Sequence, residues 1–186
     1  SEAASGLSNF GFVQTKSKLK IVASASGSYS SSIRSYVYNI GSQSYSGLEN
    51  TYTMSEVVRD SGTVAVTVTV TDSRGRTASK TVSITALAYS PPQITHFECS
   101  RCGDANGSAN ANSQYLKVTF GYSVSPLNNK NKASYLLKYS VYDDGKWGSL
   151  TSGTQYTYSG TYISATAILN TASTYQVGLV VTDSFG

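Results

Sequence analysis

Apolar and polar positions alternate most sharply between Val64 and Ala86, VAVTVTVTDSRGRTASKTVSITA, where Val64, Val66, Val68 and Val70 are interleaved with Ala65, Thr67 and Thr69. A period of two in β-branched residues sets one apolar row against a core and one polar row toward water, the pattern of a half-buried strand. Asp72-Ser73-Arg74-Gly75 tolerates the backbone angles of a tight turn, and an apolar row resumes at Val82, Ile84 and Ala86. The stretch predicts a β-hairpin with both apolar rows turned to the core. Near the end of the chain Tyr175, Val177, Leu179 and Val181 alternate in the same way. They run into Thr182-Asp183-Ser184-Phe185-Gly186, a second version of Thr71-Asp72-Ser73-Arg74-Gly75.

Shorter strands precede the hairpin. After a weakly patterned segment from Ser1 to Ser8, Phe10, Phe12 and Val13 predict an edge strand, and Leu19, Ile21, Ala23 and Ala25 form the inward row of a second. Ile33 to Ile40 is a third, in which Ile33 and Val37 oppose Tyr36 and Tyr38. Gly41-Ser42 turns the chain, and short strands near Gln43 to Leu48 and Thr51 to Ser55 lead through Val57 and Val58 to the hairpin. Strands of this length, separated by turn signals at this spacing, predict a β-sandwich that buries the facing rows of two sheets. No window carries apolar residues at helical spacing over three turns, so the fold class is all-β.

Ala88-Tyr89-Ser90-Pro91-Pro92-Gln93 interrupts the pattern, because two prolines cannot donate to a sheet and hold the chain extended. The expected organisation is a sandwich over 1–88, a diproline linker over 89–93 and a second sandwich over 94–186. Beyond the linker, Leu116-Lys117-Val118 matches Leu19-Lys20-Ile21 at an offset of 97, Tyr142 matches Tyr38 at 104, and Tyr156 to Asp183 match Tyr45 to Asp72 at 111. The offset rises in two loops, Ser125 to Lys132 and Asp143 to Gln155, as in a duplicated strand framework with drifting loops. The second half stops at Gly186, the counterpart of Gly75. Its last strand is therefore expected to be missing, leaving the edge of Tyr175 to Thr182 to be covered by residues beyond Gly186 or by another chain, such as the Ser1 to Val13 segment of a neighbouring copy. A chain that opens at Ser1 is itself read as an excised piece.

Composition narrows the chemistry. A chain with 39% hydrophobic and 13% charged residues is ordinary for a folded domain, and its aromatic content is mostly tyrosine, 15 against 5 Phe and 1 Trp. The net charge of +4 comes from 14 basic and 10 acidic residues spread along the chain, densest at Lys130-Asn131-Lys132, so no nucleic-acid partner is expected. No apolar run approaches the roughly 20 residues of a membrane span, and no membrane partner is expected. His96-x2-Cys99-x2-Cys102, with Asp104 nearby, has zinc-like spacing but lacks a fourth strong ligand, and the βαβ context of a redox Cys-x-x-Cys is absent. Reduced thiols are expected ahead of a local disulfide or a metal site, and no cofactor. Asp143-Asp144-Gly145 lacks the further ligands of a calcium loop and reads as a turn. His96 has no nucleophile partnered by motif, so no catalytic residues and no enzyme activity are expected. Tyr36 and Tyr38, like Tyr156 and Tyr158, stand two apart and share a strand face. These four are the candidate ligand-contact residues, suited to saccharide or protein partners if exposed and to packing on neighbouring strands if not.

Leu169, followed six residues later by Tyr175 at the head of an alternating strand, resembles the tyrosine corner of immunoglobulin-like and fibronectin type III domains, in which the hydroxyl bonds back to the backbone ahead of its strand. Val58 and Val64 hold the matching positions in the first half, which lacks it. Together with the V-T-D-S-x-G hairpin, the A-Y-S-P-P linker and S-P-L-N-N-K-N-K, the chain from about Leu19 to Gly186 resembles the minor structural tail proteins of long-tailed siphophages of Gram-positive bacteria. That resemblance implies two tandem immunoglobulin-like (fibronectin type III-like) β-sandwiches in the phage tail of the virion. Their role would be non-enzymatic, a structural spacer in the tail tip or fibre that positions host-recognition parts for host attachment, with other tail proteins or copies of itself as partners. The alternatives are a carbohydrate-binding or adhesion module on the bacterial cell surface, contacting host cell-wall glycan through exposed tyrosines, and an accessory domain of a cell-wall enzyme.

Overall fold

The abundance of Val, Ile, Thr and Tyr is realised as strands throughout. The structure, a computed structural model, describes residue 1 and residues 4–186, so Glu2 and Ala3 of the opening segment lie outside the described residues. Thirteen strands and no helix occur among the described residues. The chain divides into two compact units, Ser1–Tyr89 and Ser90–Gly186.

The first unit contains β1 (Phe12–Val13), β2 (Lys20–Val22), β3 (Ile33–Ile40), β4 (Gln43–Gly47), β5 (Thr51–Thr53), β6 (Gly62–Asp72) and β7 (Thr77–Leu87). One sheet has the order β1-β7-β6-β3-β4 and the other is β2-β5. The valine-threonine stretch is its longest ladder, β6 pairing with β7 from Gly62 opposite Ala86 to Thr71 opposite Thr77. On the polar face, the hydroxyls of Thr67 and Thr81, and of Thr69 and Ser79, meet at 2.8 Å. Gly75 takes the positive φ of 79° that the turn requires, and Gly41, at 53°, does the same in the two-residue connection between β3 and β4. The core gathers Leu19, Tyr36, Tyr38, Ile40, Met54, Val58, Val64, Val66 and Ala86.

Three expectations for this unit are corrected. On β3 it is Tyr36, Tyr38 and Ile40 that face the core, and Ile33 packs against the same core, because a bulge at Arg34 shifts the register and puts Ile33 on the tyrosine side. On β7, Ala86 is buried but Val82 is 55% exposed. The facing sheet is two short strands, and among the described residues of this unit none reaches across to cover Val82. That leaves an open apolar groove of about 430 Å³ between Ile21, Ala23, Val66, Val68, Ala78 and Val82. For the same reason Ala25, expected inward, is exposed.

The second unit contains β8 (Gln93–Cys102), β9 (Tyr115–Ser123), β10 (Ser134–Val141), β11 (Gly148–Gly153), β12 (Thr157–Ile163) and β13 (Tyr175–Thr182). Its sheets are β12-β9-β8 and β11-β10-β13. Between them lie Leu116, Val118, Phe120, Tyr122, Val124, Ala133, Tyr135, Leu137 and Leu169. Several ladders repeat those of the first unit: Met54 N donates to Leu19 O and Ser164 N to Leu116 O, both at 2.9 Å. Tyr36 and Tyr38 stand opposite Val70 and Val68, while Tyr135 and Leu137 stand opposite Val181 and Leu179. The partner of Tyr38 in this comparison is therefore Leu137, not Tyr142. Tyr142 lies beyond β10, in a connection to β11 that is longer than Gly41-Ser42, so more of the added length falls there than in the Ser125 to Lys132 loop.

The units also differ at their edges. In the first, β7 lies on β6, while the edge of β2 away from β5 carries Ser1, whose N and O exchange 2.9 Å bonds with Lys20. In the second, β8 lies on β9, while β13 pairs, among the described residues, with β10 alone.

Candidate functional site

The four candidate tyrosines are framework rather than surface. Tyr36 and Tyr38 are 6% and 1% exposed, which corrects their reading as ligand contacts. The Tyr38 ring stacks on Tyr36 at 6.1 Å and on Tyr52 at 5.3 Å, and its hydroxyl donates to Glu49 O at 2.7 Å. Burial, with help from Tyr36 and Glu49, pushes its pKa up. In the second unit Tyr158 is half-buried and stacks on Phe120 at 4.5 Å and Tyr122 at 6.1 Å. Tyr122 has its pKa pushed up to about 12 by burial first and then by Tyr135 and Tyr158. Tyr156, also half-buried, donates its hydroxyl to Asn131 O at 2.8 Å. The pairs belong to separate cores. The sequence carried the signal for the first pair, because Ile40 shares their parity on the strand and is fully buried.

The repeated turn motif is equally structural. Asp72 Oδ1 accepts the backbone N–H groups of Arg74 and Arg76, each at 2.9 Å, and Oδ2 accepts Arg76 Nε at 2.8 Å and Ser31 Oγ at 3.0 Å. Burial pushes its pKa up, but the hydrogen bonds from Arg76, Ser31 and Arg74 outweigh it and hold the carboxyl well below the usual range. In the second unit, Asp183 accepts Phe185 N at 2.8 Å and Asn131 Nδ2 at 3.2 Å. Asn131 is itself buried; Nδ2 also donates to Ser125 O at 2.7 Å, and Oδ1 accepts Lys132 N at 3.0 Å and Ser184 N at 2.9 Å. The S-P-L-N-N-K-N-K loop is thus clamped to the T-D-S turn through Asn131 and through Lys132 N, which donates to Ser184 Oγ at 2.9 Å. The loop needs that clamp, because Leu127, Asn128 and Asn129 all hold left-handed backbone angles, φ 48°, 57° and 60°, that L residues resist.

Tyr175 behaves as its position implies: Asn170 N donates to its hydroxyl at 2.8 Å, which is the backward bond of a tyrosine corner. Arg101 braces the same corner, donating to Ser113 O, Asn170 O and Ser173 O at 2.7–3.0 Å with its guanidinium 5.8 Å from the Tyr175 ring centre.

The cysteines stand apart. Cys99 is opposite Val118 on the inner side of β8, whereas Cys102 is opposite Tyr115 on the other face, where it is fully buried. Three residues of extended chain put them roughly 10 Å apart, so they share neither a disulfide nor a metal ion. His96 Nε2 lies 3.9 Å from Glu98 Oε2, both on the surface. Among the described residues no three His, Cys, Asp or Glu side chains converge. Asp143 to Gly145 forms part of the β10–β11 connection, with Asp144 3.7 Å from Lys146 Nζ.

Two surface features were not legible as such. Trp147 is exposed over the outer face of β10 and β13, with Lys138 Nζ 4.5 Å from its ring centre. Beside the unpaired edge of β13 runs a groove of about 370 Å³, with Leu116, Leu169, Tyr175 and Val177 along it and Cys99 and Arg101 at its rim.

A family described as "Siphovirus protein of unknown function (DUF859)" matches residues 2–185. The chain belongs to that family. No curated protein matches this siphovirus protein. Among solved structures it is similar to one concerned with the promiscuous specificity of carbohydrate-binding modules from the β-sandwich superfamily, at 13% identity over 94% of this chain and 88% of that one, TM-score 0.37. It is also similar to a multidomain crystal structure from titin, at 15% identity over 100% of this chain, TM-score 0.36; the siphovirus protein spans 61% of that titin chain.

Proposed function

We propose that this siphovirus protein is a non-enzymatic structural component of the virion, a spacer segment of the tail that positions host-recognition parts. The observation that carries the reading is the family match, which runs through both units. The fate of the motif residues supports it: Asp72, Asn131, Asp183 and Tyr175 all spend their polar groups on turns and corners. On this reading each unit is an immunoglobulin-like sandwich, one following the other in tandem, and the second lacks its last strand. The tyrosine corner and the shared ladder registers favour the first point, and the unpaired edge of β13 favours the second. The partners are other tail proteins or further copies of the chain. The carbohydrate-binding alternative loses Tyr36 and Tyr38 to the core and finds Tyr156 and Tyr158 half-buried, which leaves it exposed aromatics outside those four, such as Tyr29, Tyr142 and Trp147.

Mass spectrometry of gradient-purified virions tests the proposal. The protein is expected at a fixed copy number per particle alongside the tail proteins. Its absence from intact particles, with abundant protein in the infected-cell lysate, would contradict a structural role.

A further inference from the structure

β6 and β13 occupy the same place relative to the strand beside them, with Val68 opposite Tyr38 and Leu179 opposite Leu137. β6 is also paired along its other edge, where Ile84, Val82, Lys80 and Ala78 of β7 stand opposite Val64, Val66, Val68 and Val70. The corresponding row on β13 is Tyr175, Val177, Leu179 and Val181, and among the described residues no strand is hydrogen-bonded to the edge of β13 away from β10.

The facing sheet has a matching vacancy. Ile94 and Phe97 of β8 stand opposite Tyr122 and Phe120, two fully buried core residues, so they project to the same inner side of the sheet. Yet they are 51% and 37% exposed. Inner-facing apolar side chains that remain wet on β8, together with a second edge of β13 that no strand pairs with among the described residues and a groove between Cys99 and Arg101 of β8 and Tyr175 and Val177 of β13, mark a place where one layer is short by one strand.

We propose that the free edge of β13 is a docking site for one antiparallel β-strand with the chemistry of β7. Such a strand is rich in Ser and Thr, with a small or branched apolar residue at alternate positions that packs beneath Ile94 and Phe97. The first unit supplies the argument for this occupant, since there the equivalent edge carries such a strand at a defined register. Backbone bonds to β13 supply affinity, and the alternating side chains supply selection. The inference holds wherever in the virion the protein sits.

Fusing a copy of the twelve residues Arg76–Leu87 directly after Gly186 tests this, because Gly186 stands in the motif where Gly75 precedes that segment. The control is a fusion of the same composition in scrambled order. Hydrogen exchange is the readout, and the native-order fusion is expected to slow those amides of Tyr175–Thr182 that do not face β10 by at least about tenfold, with the scrambled fusion leaving them unchanged. The free twelve-residue peptide, added to the unfused chain, is expected to perturb the same amides in nitrogen–proton spectra. Equal exchange in the two fusions together with no peptide effect would overturn the proposal. So would an unfused chain that is a dimer with β13 cross-linked to β13, since the edge would then belong to a second copy.

Discussion

Asp72 is the residue on which the first unit's hairpin turns. Its carboxylate is held below the usual range, so its contribution to folding is fully present above about pH 4, the value of an unperturbed aspartate, and is lost as pH falls through the lower folded-state value. Asp72→Asn is expected to lower the first unit's melting temperature at neutral pH and to flatten its decline in acid; a parallel decline in both proteins, followed by calorimetry from pH 6 to pH 2, would show that other groups set the acid limit. Tyr175→Phe removes an acceptor for Asn170 N but leaves the ring in place, and Asn170 is exposed enough for water to substitute. The expected cost is about 1 kcal/mol, a fall of roughly 4–8 °C for the second unit alone. These roles were partly readable in the sequence. The Asp-Ser-x-Gly turn chemistry and the Leu169–Tyr175 spacing name their own local partners. The burial of Tyr36 and Tyr38 follows from parity with Ile40, but only once the bulge at Arg34 removes Ile33 as a guide to which face is inward.

At the scale of elements, alternation predicts that a strand exists better than it predicts what covers it. Val64 and Val82 look alike in sequence, and both lie on the hairpin. Val64 is buried because β3 and its neighbours hold the centre of the sandwich, while Val82 is wet because the opposing sheet is too narrow to reach it. The energetic consequence is testable by paired substitutions. Ile40→Ala, at a fully buried position, is expected to cost about 2–5 kcal/mol. Val82→Thr is expected to change stability by less than about 0.5 kcal/mol. Chemical denaturation of the two variants measures both, and a cost at Val82 comparable to that at Ile40 would mean that another surface covers β7 in solution. Loop length was the least legible quantity. The sequence match of Tyr142 to Tyr38 fails because a tyrosine in an alternating stretch recurs by composition, whereas the register of β10 is set by its pairing with β13, which no local pattern reports.

At the scale of the whole molecule, the all-β class and the division near Pro91-Pro92 rest on strand periodicity and on prolines that interrupt pairing, and the boundary between the two units falls between Tyr89 and Ser90 along the chain. Tyr89 is buried beneath Lys16, whose ammonium lies 5.0 Å from its ring centre, whereas Ser90 N donates to Ser125 Oγ at 3.0 Å, so these two residues each belong to a unit rather than to a linker. The candidate binding residues were the part the sequence misplaced, because two tyrosines on one strand face look the same whether that face meets water or another sheet. What the molecule offers instead are motif residues committed to its framework and a siphovirus family that extends across both units. Electron cryo-microscopy of the intact virion tests that account most directly. It predicts density in the tail into which both β-sandwich units fit, with a further strand along β13; a fully interpreted tail containing neither unit would contradict it.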